Sequence, residues 1–124
     1  MVPRKSVGLK VPVLYKIMSK QEWERAQAQG IYEGSEMDRK DGFIHLSAAH
    51  QVRATAQKHF SGRTDLLLVS ILEKNLGKNL KWEVSRGGDL FPHIYGALRL
   101  DAIDGVIPLP FVNGAHQFPE RLPE

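Results

Sequence analysis

A strand that runs directly into a helix is the feature of this sequence that most restricts its fold. In the segment FIHLS, residues 43–47, side chains alternate between two faces, so Ile44 and Leu46 point to one side and His45 points to the other. Ser47 is a suitable N-cap for a following helix. The next apolar side chains recur at four-residue intervals, as on one helical face: Ala48, Val52, Ala56 and Phe60. The segment therefore predicts a strand, a tight joint and a helix.

His45 is a candidate functional residue because it is a titratable group beside the predicted start of that helix. The free backbone N–H groups and the positive dipole end of a helix start favour an anionic ligand, phosphate above all. Ser47 lies at the same joint and is predicted to contribute to phosphate binding. A histidine on a strand is also commonly a structural residue with satisfied hydrogen bonds, so both interpretations stay open.

The composition limits the class of protein. A chain of 124 residues with 42% hydrophobic and 25% charged residues is typical of one globular domain. The absence of cysteine excludes disulfides, thiolate zinc sites and cysteine nucleophiles. No apolar run has the length of a signal peptide or a membrane span. We expect a cytoplasmic protein without membrane contact.

The charge distribution favours a small anionic ligand. The net charge is +3 and the sequence pI is about 9.3, but the basic residues are spread along the chain. A nucleotide needs only one or two well-placed cations, whereas a nucleic acid needs a basic stripe. We therefore expect a nucleotide-like partner and no nucleic acid, and the sequence gives no signal for an oligomeric state.

The pattern along the chain predicts an α+β domain over residues 11–111, with a flexible leader at 1–10 and an irregular tail at 112–124. A strand in VPVLYKI is followed by a capping box at Ser19 and Glu22, which predicts a helix from about Lys20 to Gln29 that stops at Gly30.

Residues 31–42 read as an exposed loop. The continuous apolar run LLLVSIL predicts a central strand, and LKWEV, FPHIYGALRL and DGVIPLPF predict the last strands. The predicted order is β-α-β-α-β-β-β-β, with two early helices packed on a twisted, split, mixed or antiparallel sheet.

Three strands carry polar groups that could meet in one cleft. His93 and Tyr95 share a face of FPHIYG and repeat the FIHLS arrangement of a histidine two residues before a hydroxyl. We predict that His45, His93 and Tyr95 are the catalytic residues. The cations Lys16 and Arg86 are predicted to balance phosphate charge. The alternative for His93 and Tyr95 is an exposed sheet edge.

Other candidates have ordinary interpretations that weigh more. Glu83 could be a general base, but its basic neighbours in sequence favour a surface ion pair. Asp41 precedes a glycine and is expected to cap a turn. Trp23 and Trp82 fit apolar faces and are expected in the core. Serine-hydrolase, zinc-peptidase, P-loop and Rossmann motifs do not occur, and no histidine pair has the helical spacing of a metal site.

The run from LYKI through DGFIHLS to FPHIYGAL resembles DUF952, a family of small bacterial proteins without an established function. FIHLS and its alanine-rich helix are also similar to the HVHLS segment of NAD-using RNA 2′-phosphotransferases, which belong to the ADP-ribosyltransferase superfamily. This resemblance implies an ADP-ribosyltransferase-like, split and twisted sheet with a cleft for NAD. It places Lys16 at the adenosine-side ribose and His45 near nicotinamide, and it assigns no residue to the superfamily's glutamate.

The expected function is binding of a nucleotide-type phosphate ligand, with NAD as the candidate cofactor and ADP-ribosyltransferase-like activity as the candidate chemistry. In that scheme His45 and Tyr95 orient the nicotinamide ribose, while Ser47 and Arg86 hold phosphate. The alternative is a non-catalytic module that binds a small metabolite or a protein.

Overall fold

Two antiparallel sheets form the centre of the protein in the computed structural model, with three α-helices around them. The structure describes residues 11–124, apart from the side chain of Arg86. The leader predicted at 1–10 therefore lies outside the described residues. The helices are α1 (Lys20–Gln29), α2 (Glu36–Asp41) and α3 (Ala49–His59). The strands are β1 (Val13–Ser19), β2 (Ile31–Tyr32), β3 (Ile44–His45), β4 (Ser47–Ala48), β5 (Leu66–Leu72), β6 (Leu80–Val84), β7 (Leu90–Ile94), β8 (Leu98–Arg99), β9 (Ile103–Pro108), β10 (Phe111–Val112) and β11 (Ala115–His116).

The α+β class is confirmed, but the order of elements is richer than predicted. Residues 31–42, read as a loop, contain β2 and the short helix α2. Residues 111–116 form the hairpin β10–β11, so the tail is less irregular than expected. None of the described helices has the length and apolar character needed to cross a membrane.

The larger sheet has the strand order β4-β1-β5-β9, so β1 pairs with a strand on each side. All seven residues of β1 are buried, and β5, which is the LLLVSIL run, lies between β1 and β9. The prediction of a central strand there is confirmed. Its continuous apolar sequence reflects burial on both faces, as in sheets that are covered on each side.

The predicted FIHLS strand is divided between two sheets. Ile44 and His45 pair with β7 in the smaller sheet, β3-β7-β6, whereas Ser47 and Ala48 pair with β1 in the larger one. Leu46 lies at the crossing, and its N–H donates to the carbonyl of Pro92 at 2.9 Å. The sheet is thus split at one residue, Leu46, where the chain passes from the smaller sheet to the larger one.

Two apolar cores lie on opposite faces of the larger sheet. The first joins both sheets: Leu14, Met18, Ile44, Leu46, Val69, Ile71 and Ile94. The second lies between the larger sheet and α3: Tyr15, Ile17, Val52, Ala56, Leu66, Leu68 and Leu109. The predicted burial of Ile44, Leu46, Val52 and Ala56 is therefore confirmed. Trp23 packs partly buried against the first core, but Trp82 is 41% exposed, so its core assignment is wrong.

The helix ends show where local signals succeed. Ser19 and Glu22 form the capping box of α1, and Gly30 ends that helix in the left-handed conformation, as predicted. The N-cap of α3 is Ala48, so the assignment of Ser47 is wrong. Ser47 is still paired with β1 in the sheet, one residue before the helix cap, and cannot serve as that cap.

Gln51 replaces the missing cap and ties α3 to the smaller sheet. Its side-chain oxygen accepts from the Ala48 N–H at 2.9 Å, and its amide nitrogen donates to the Leu90 carbonyl at 2.8 Å. Both polar ends of this buried side chain are therefore used, which fixes the start of α3 against β7.

Gly34 provides a test of the packing around α2. Its φ is +105°, and a Cβ there would lie 2.8 Å from the Cβ of Asp38. Gly62 also has a positive φ, +87°, but open space around it. We expect Gly34→Ala to lower the free energy of unfolding by about 1–3 kcal/mol more than Gly62→Ala, because only the first adds an overpacked contact to the backbone strain. Urea unfolding of both variants measures the difference, and equal losses would contradict it.

Candidate functional site

A cavity of about 800 Å³ opens where the two sheets separate. Strand β1 supplies Lys16 to its wall, the strand crossing supplies His45 and Ser47, and β7 supplies His93. Four of the residues predicted from the sequence thus meet in one place. The volume is in the range of pockets that enclose a ligand of nucleotide size.

Asp38 is the centre of the hydrogen bonding beneath the cavity. It is only 2% exposed. Its Oδ1 accepts from the backbone N–H of His45 at 3.1 Å and lies 2.6 Å from His45 Nδ1. Its Oδ2 accepts from the Ser35 N–H at 2.9 Å and from Lys16 Nζ at 2.8 Å. The same carboxylate caps α2, neutralises a lysine and orients a histidine.

The ionisation of Asp38 follows from these contacts. Burial by itself raises the pKa of the carboxyl, because the charged form loses hydration. The hydrogen bond from His45 and the charge of Lys16 outweigh burial and hold the pKa of Asp38 well below its ordinary value. Asp38 is therefore a carboxylate at neutral pH, which makes it an acceptor only.

The described contacts of the Lys16 ammonium group lie within the protein. Its ammonium group is buried, and it donates to Asp38 and to the carbonyl of His45 at 2.9 Å. Because the charge is already paired, Lys16 does not offer a free cation to phosphate. It stabilises the joint between β1 and β3 and contributes only part of its side chain to the cavity wall.

His45 lies between two carboxylates. Its Nδ1 faces Asp38, and its Nε2 lies 3.0 Å from Oδ2 of Asp41 at the end of α2. The side chain of His45 is 32% exposed, and that of Asp41 is 41% exposed. Asp41, expected to cap a turn, therefore holds the outer edge of the imidazole. Both ring nitrogens are fixed by residues of one short helix.

His93 forms a second pair of the same kind. Its Nδ1 lies 2.8 Å from Oε1 of Glu83, and the hydroxyl of Tyr95 donates to the same oxygen at 2.8 Å. The hydrogen bonds from His93 and Tyr95 lower the pKa of Glu83, and the bond to Glu83 raises the pKa of Tyr95. Glu83 therefore orients a histidine in place of the surface ion pair that its neighbours suggested.

The setting of His93 excludes the exposed-edge interpretation. The residue is buried in the middle strand of the smaller sheet, and the ring of Phe43 stacks on it at 4.1 Å and 27°. Tyr95 is 37% exposed. Among the residues predicted for catalysis or phosphate binding whose side chains are described, Tyr95 alone does not line the cavity, and its hydroxyl bonds Glu83 instead.

Ser47 reaches the cavity from the crossing between the sheets. Its hydroxyl lies 3.2 Å from that of Thr55 on α3, and both line the wall. Ser47 thus presents its hydroxyl at the cavity wall, although it is not the helix cap. Arg86, the other predicted phosphate-binding residue, has a side chain outside the described part of the structure, and its role stays a prediction.

Cations surround the mouth of the cavity. Five lysines and arginines and three carboxylates are among the described residues that line it. Arg25 on α1 and Lys58 on α3 are exposed and make no ion pair or hydrogen bond within the described part of the chain. Two of the carboxylates, Glu22 and Asp38, are already engaged in capping helices. The free charge at the mouth is therefore mostly positive.

Sequence reasoning missed Asp38, Arg25 and Lys58. A signal for Asp38 was present, since Ser35 and Asp38 have the spacing of a capping box and Gly42 follows as a left-handed helix stop. Arg25 and Lys58 carried no local signal, because only the packing of α1 and α3 on either side of β1 brings them to one opening.

The pH dependence of stability provides a test of the Asp38 pairs. The folded state depresses the pKa of Asp38, so below the unfolded value of about 3.9 the unfolded chain binds more protons, and this stabilisation falls as pH falls. We expect Asp38→Asn to lower the free energy of unfolding at neutral pH by about 3 kcal/mol or more, since it leaves Lys16 buried without its counter-charge.

The same variant should show a flatter loss of stability below pH ~4, where wild type loses this contribution. Urea unfolding between neutral and acid pH measures both effects. Asp65→Asn is the matched control, because Asp65 forms an exposed pair with Arg63 that contributes at most about 1 kcal/mol. A variant with the acid limb of wild type would contradict the assignment.

The comparison with known proteins agrees with this architecture. The crystal structure of Caulobacter crescentus protein CC0527 matches with a TM-score of 0.82 and 45% sequence identity over 85% of this chain and 93% of that one. The solution NMR structure of CC0527 matches with a TM-score of 0.76 and 44% identity over 84% and 90% of the two chains. No curated protein matches the chain significantly. The family model described as a protein of unknown function, DUF952, matches residues 17–106, and the chain belongs to that family.

Proposed function

We propose that the cavity binds a nucleotide-type phosphate ligand, with NAD as the candidate. The observation that carries this proposal is the convergence on one opening of two cations from different helices, both unpaired within the described part of the chain. Arg25 and Lys58 reach it from opposite sides of β1, and guanidinium and ammonium groups are the usual partners of phosphate oxygens.

The polar groups inside the cavity suit the rest of a nucleotide. The hydroxyls of Ser47 and Thr55 line one wall, and the imidazole of His45 lies on another. Hydroxyl and imidazole groups can hydrogen-bond a ribose. Such fixed polar groups in a pocket set the orientation of a bound ligand.

ADP-ribosyltransferase-like chemistry is the activity we propose for a bound NAD. In that reaction the bond between the ribose and the nicotinamide nitrogen breaks, the electron pair leaves with nicotinamide, and an acceptor nucleophile bonds to the sugar carbon. His45 would orient the ribose, and the neighbouring Asp41 carboxylate would stabilise the positive charge that develops on the sugar. The resemblance of FIHLS to HVHLS supports this assignment of His45.

A second candidate is a binding module without catalysis. One observation favours it: Lys16 is buried in an ion pair with Asp38. Because this pair neutralises the Lys16 ammonium group, its charge is not available to a ligand. Such a module would keep the cation-lined opening and bind its ligand without turnover.

A thermal-shift experiment tests the binding proposal. A ligand that binds only the folded state raises its stability by about 2.7 kcal/mol at a hundredfold excess over Kd, which is a shift of several degrees. We expect NAD or ADP-ribose to produce such a shift in wild type, and we expect the double variant Arg25→Gln/Lys58→Gln and the variant His45→Ala to lose it.

The control for charge is Lys74→Gln/Lys78→Gln, which removes two exposed positive charges away from the cavity. This control should keep the wild-type shift. No shift of wild type with NAD, ADP-ribose or simple nucleotides would refute the proposal. Release of nicotinamide from NAD by wild type, with no release by His45→Ala, would support the enzyme and exclude the binding module without catalysis.

A further inference from the structure

The two histidines of the cavity form a pair. His45 and His93 are direct register partners on β3 and β7, and their rings lie 5.4 Å apart at 72°. Each Nδ1 faces its own carboxylate, Asp38 at 2.6 Å and Glu83 at 2.8 Å, and both residues line the cavity. An arrangement of two neighbouring imidazoles, each oriented by a carboxylate, exceeds what one ligand-binding histidine requires.

The hydrogen bonds give the two rings different surroundings. The Glu83 carboxylate can only accept, so the geometry places a hydrogen on Nδ1 of His93 and leaves Nε2 as the nitrogen that can take a proton from a substrate. Both nitrogens of His45 face carboxylates, at Asp38 and Asp41, an arrangement that suits a ring with a hydrogen on each nitrogen. The site thus holds one ring suited to accept a proton and one suited to give a proton.

We propose that His93 and His45 are the base and the acid of a phosphodiester cleavage, on a ribonucleotide with a free hydroxyl beside the ester. This inference rests on the phosphate-binding part of the proposed function. The bond that breaks, however, is a phosphodiester bond and not the bond between ribose and nicotinamide. Rings 5.4 Å apart can each reach, at about 3 Å, a different oxygen of one phosphoryl group.

The step balances without any other reactant. Nε2 of His93 takes the proton of the ribose 2′-hydroxyl, whose oxygen forms a bond to phosphorus. The bond from phosphorus to the 5′-oxygen of the next nucleotide breaks, and that oxygen takes the proton from Nε2 of His45 as Asp41 releases it. The products are a cyclic 2′,3′-phosphate and a 5′-hydroxyl. Water then opens the cyclic ester with the two histidines in exchanged roles, which restores the starting protonation.

The surroundings supply the remaining requirements. Among the described residues, Asp38 and Asp41 lie at His45, with Lys16 held on Asp38, and Glu83 lies at His93, with the Tyr95 hydroxyl bonded to Glu83 and Lys81 nearby. Glu83 is a positioning residue, since it does not line the cavity and reaches the ligand only through His93.

Two other features assist the reaction. The Phe43 ring covers one face of His93 and limits access of water to it. Arg25 and Lys58 at the mouth can hold the negative oxygens of the phosphate while its charge increases.

Cleavage of a dinucleotide tests the proposal. Wild type is incubated with adenylyl-3′,5′-uridine and with the analogue that lacks the 2′-hydroxyl on the adenosine, and products are separated by chromatography. We expect a cyclic phosphate and uridine from the first substrate and no reaction with the second. His93→Asn and His45→Asn should each lower the rate by about a hundredfold or more. His50→Asn is the matched control, because His50 is an exposed histidine outside the cavity, and it should keep the wild-type rate.

The positioning role of Glu83 has its own readout. Wild type should show a bell-shaped dependence of rate on pH, with one limb for the base and one for the acid. Glu83→Gln should shift the limb that belongs to His93, an effect that a purely structural contact would not produce.

Binding data keep the outcomes distinct. Because His93 is buried, the circular dichroism and melting temperature of each variant are measured first. If His93→Asn does not fold, the inference is tested by His45→Asn, at a partly exposed position, and by the pH profile of wild type. Absence of cleavage by wild type, or wild-type rates in a folded His45→Asn, would overturn the inference. If ADP-ribose still shifts the melting of wild type, the proposed function survives that failure; if it does not, both fall.

Discussion

The ion pair between Asp38 and Lys16 is the contact on which the rest of the site depends. A carboxylate with 2% exposure is stable in the charged form only because Lys16, His45 and two backbone N–H groups surround it. The same contacts join β1 to α2 and β3, which lie about twenty residues further along the chain. A buried charge with good geometry thus fixes how the two sheets diverge and where the cavity opens.

The cavity opens where one predicted strand is divided between the two sheets. Because side chains alternate along FIHLS, Ile44 and Leu46 stay in the core while His45 and Ser47 face the cavity on either side of the crossing. Gln51 holds α3 to β7 behind this crossing. The polar groups of the site therefore lie on short, well-anchored elements, which keeps them in fixed positions.

Two histidines held by carboxylates are a chemical resource that a simple binding pocket does not need. Asp38 and Asp41 surround His45, whereas Glu83 contacts Nδ1 of His93, and the opposite proton-transfer roles that we propose for the two rings rest on this difference. Tyr95, which sequence symmetry placed beside His93 in the cleft, belongs to the support of Glu83. The likeness to CC0527 and the DUF952 match establish the family, and the residues of the cavity carry the chemical proposals.

The sequence by itself determined the elements whose signals are local. The capping box of α1, the stop at Gly30, the central LLLVSIL strand and the two faces of FIHLS depend on periodicity and on neighbours within four residues. Only the tertiary structure decided the partners of Lys16, His93 and Glu83 and the cations at the mouth. These features depend on which distant strands pair and on how the helices pack against them. A charged residue that the sequence suggests is exposed to solvent becomes a buried hydrogen-bond partner when that packing encloses it.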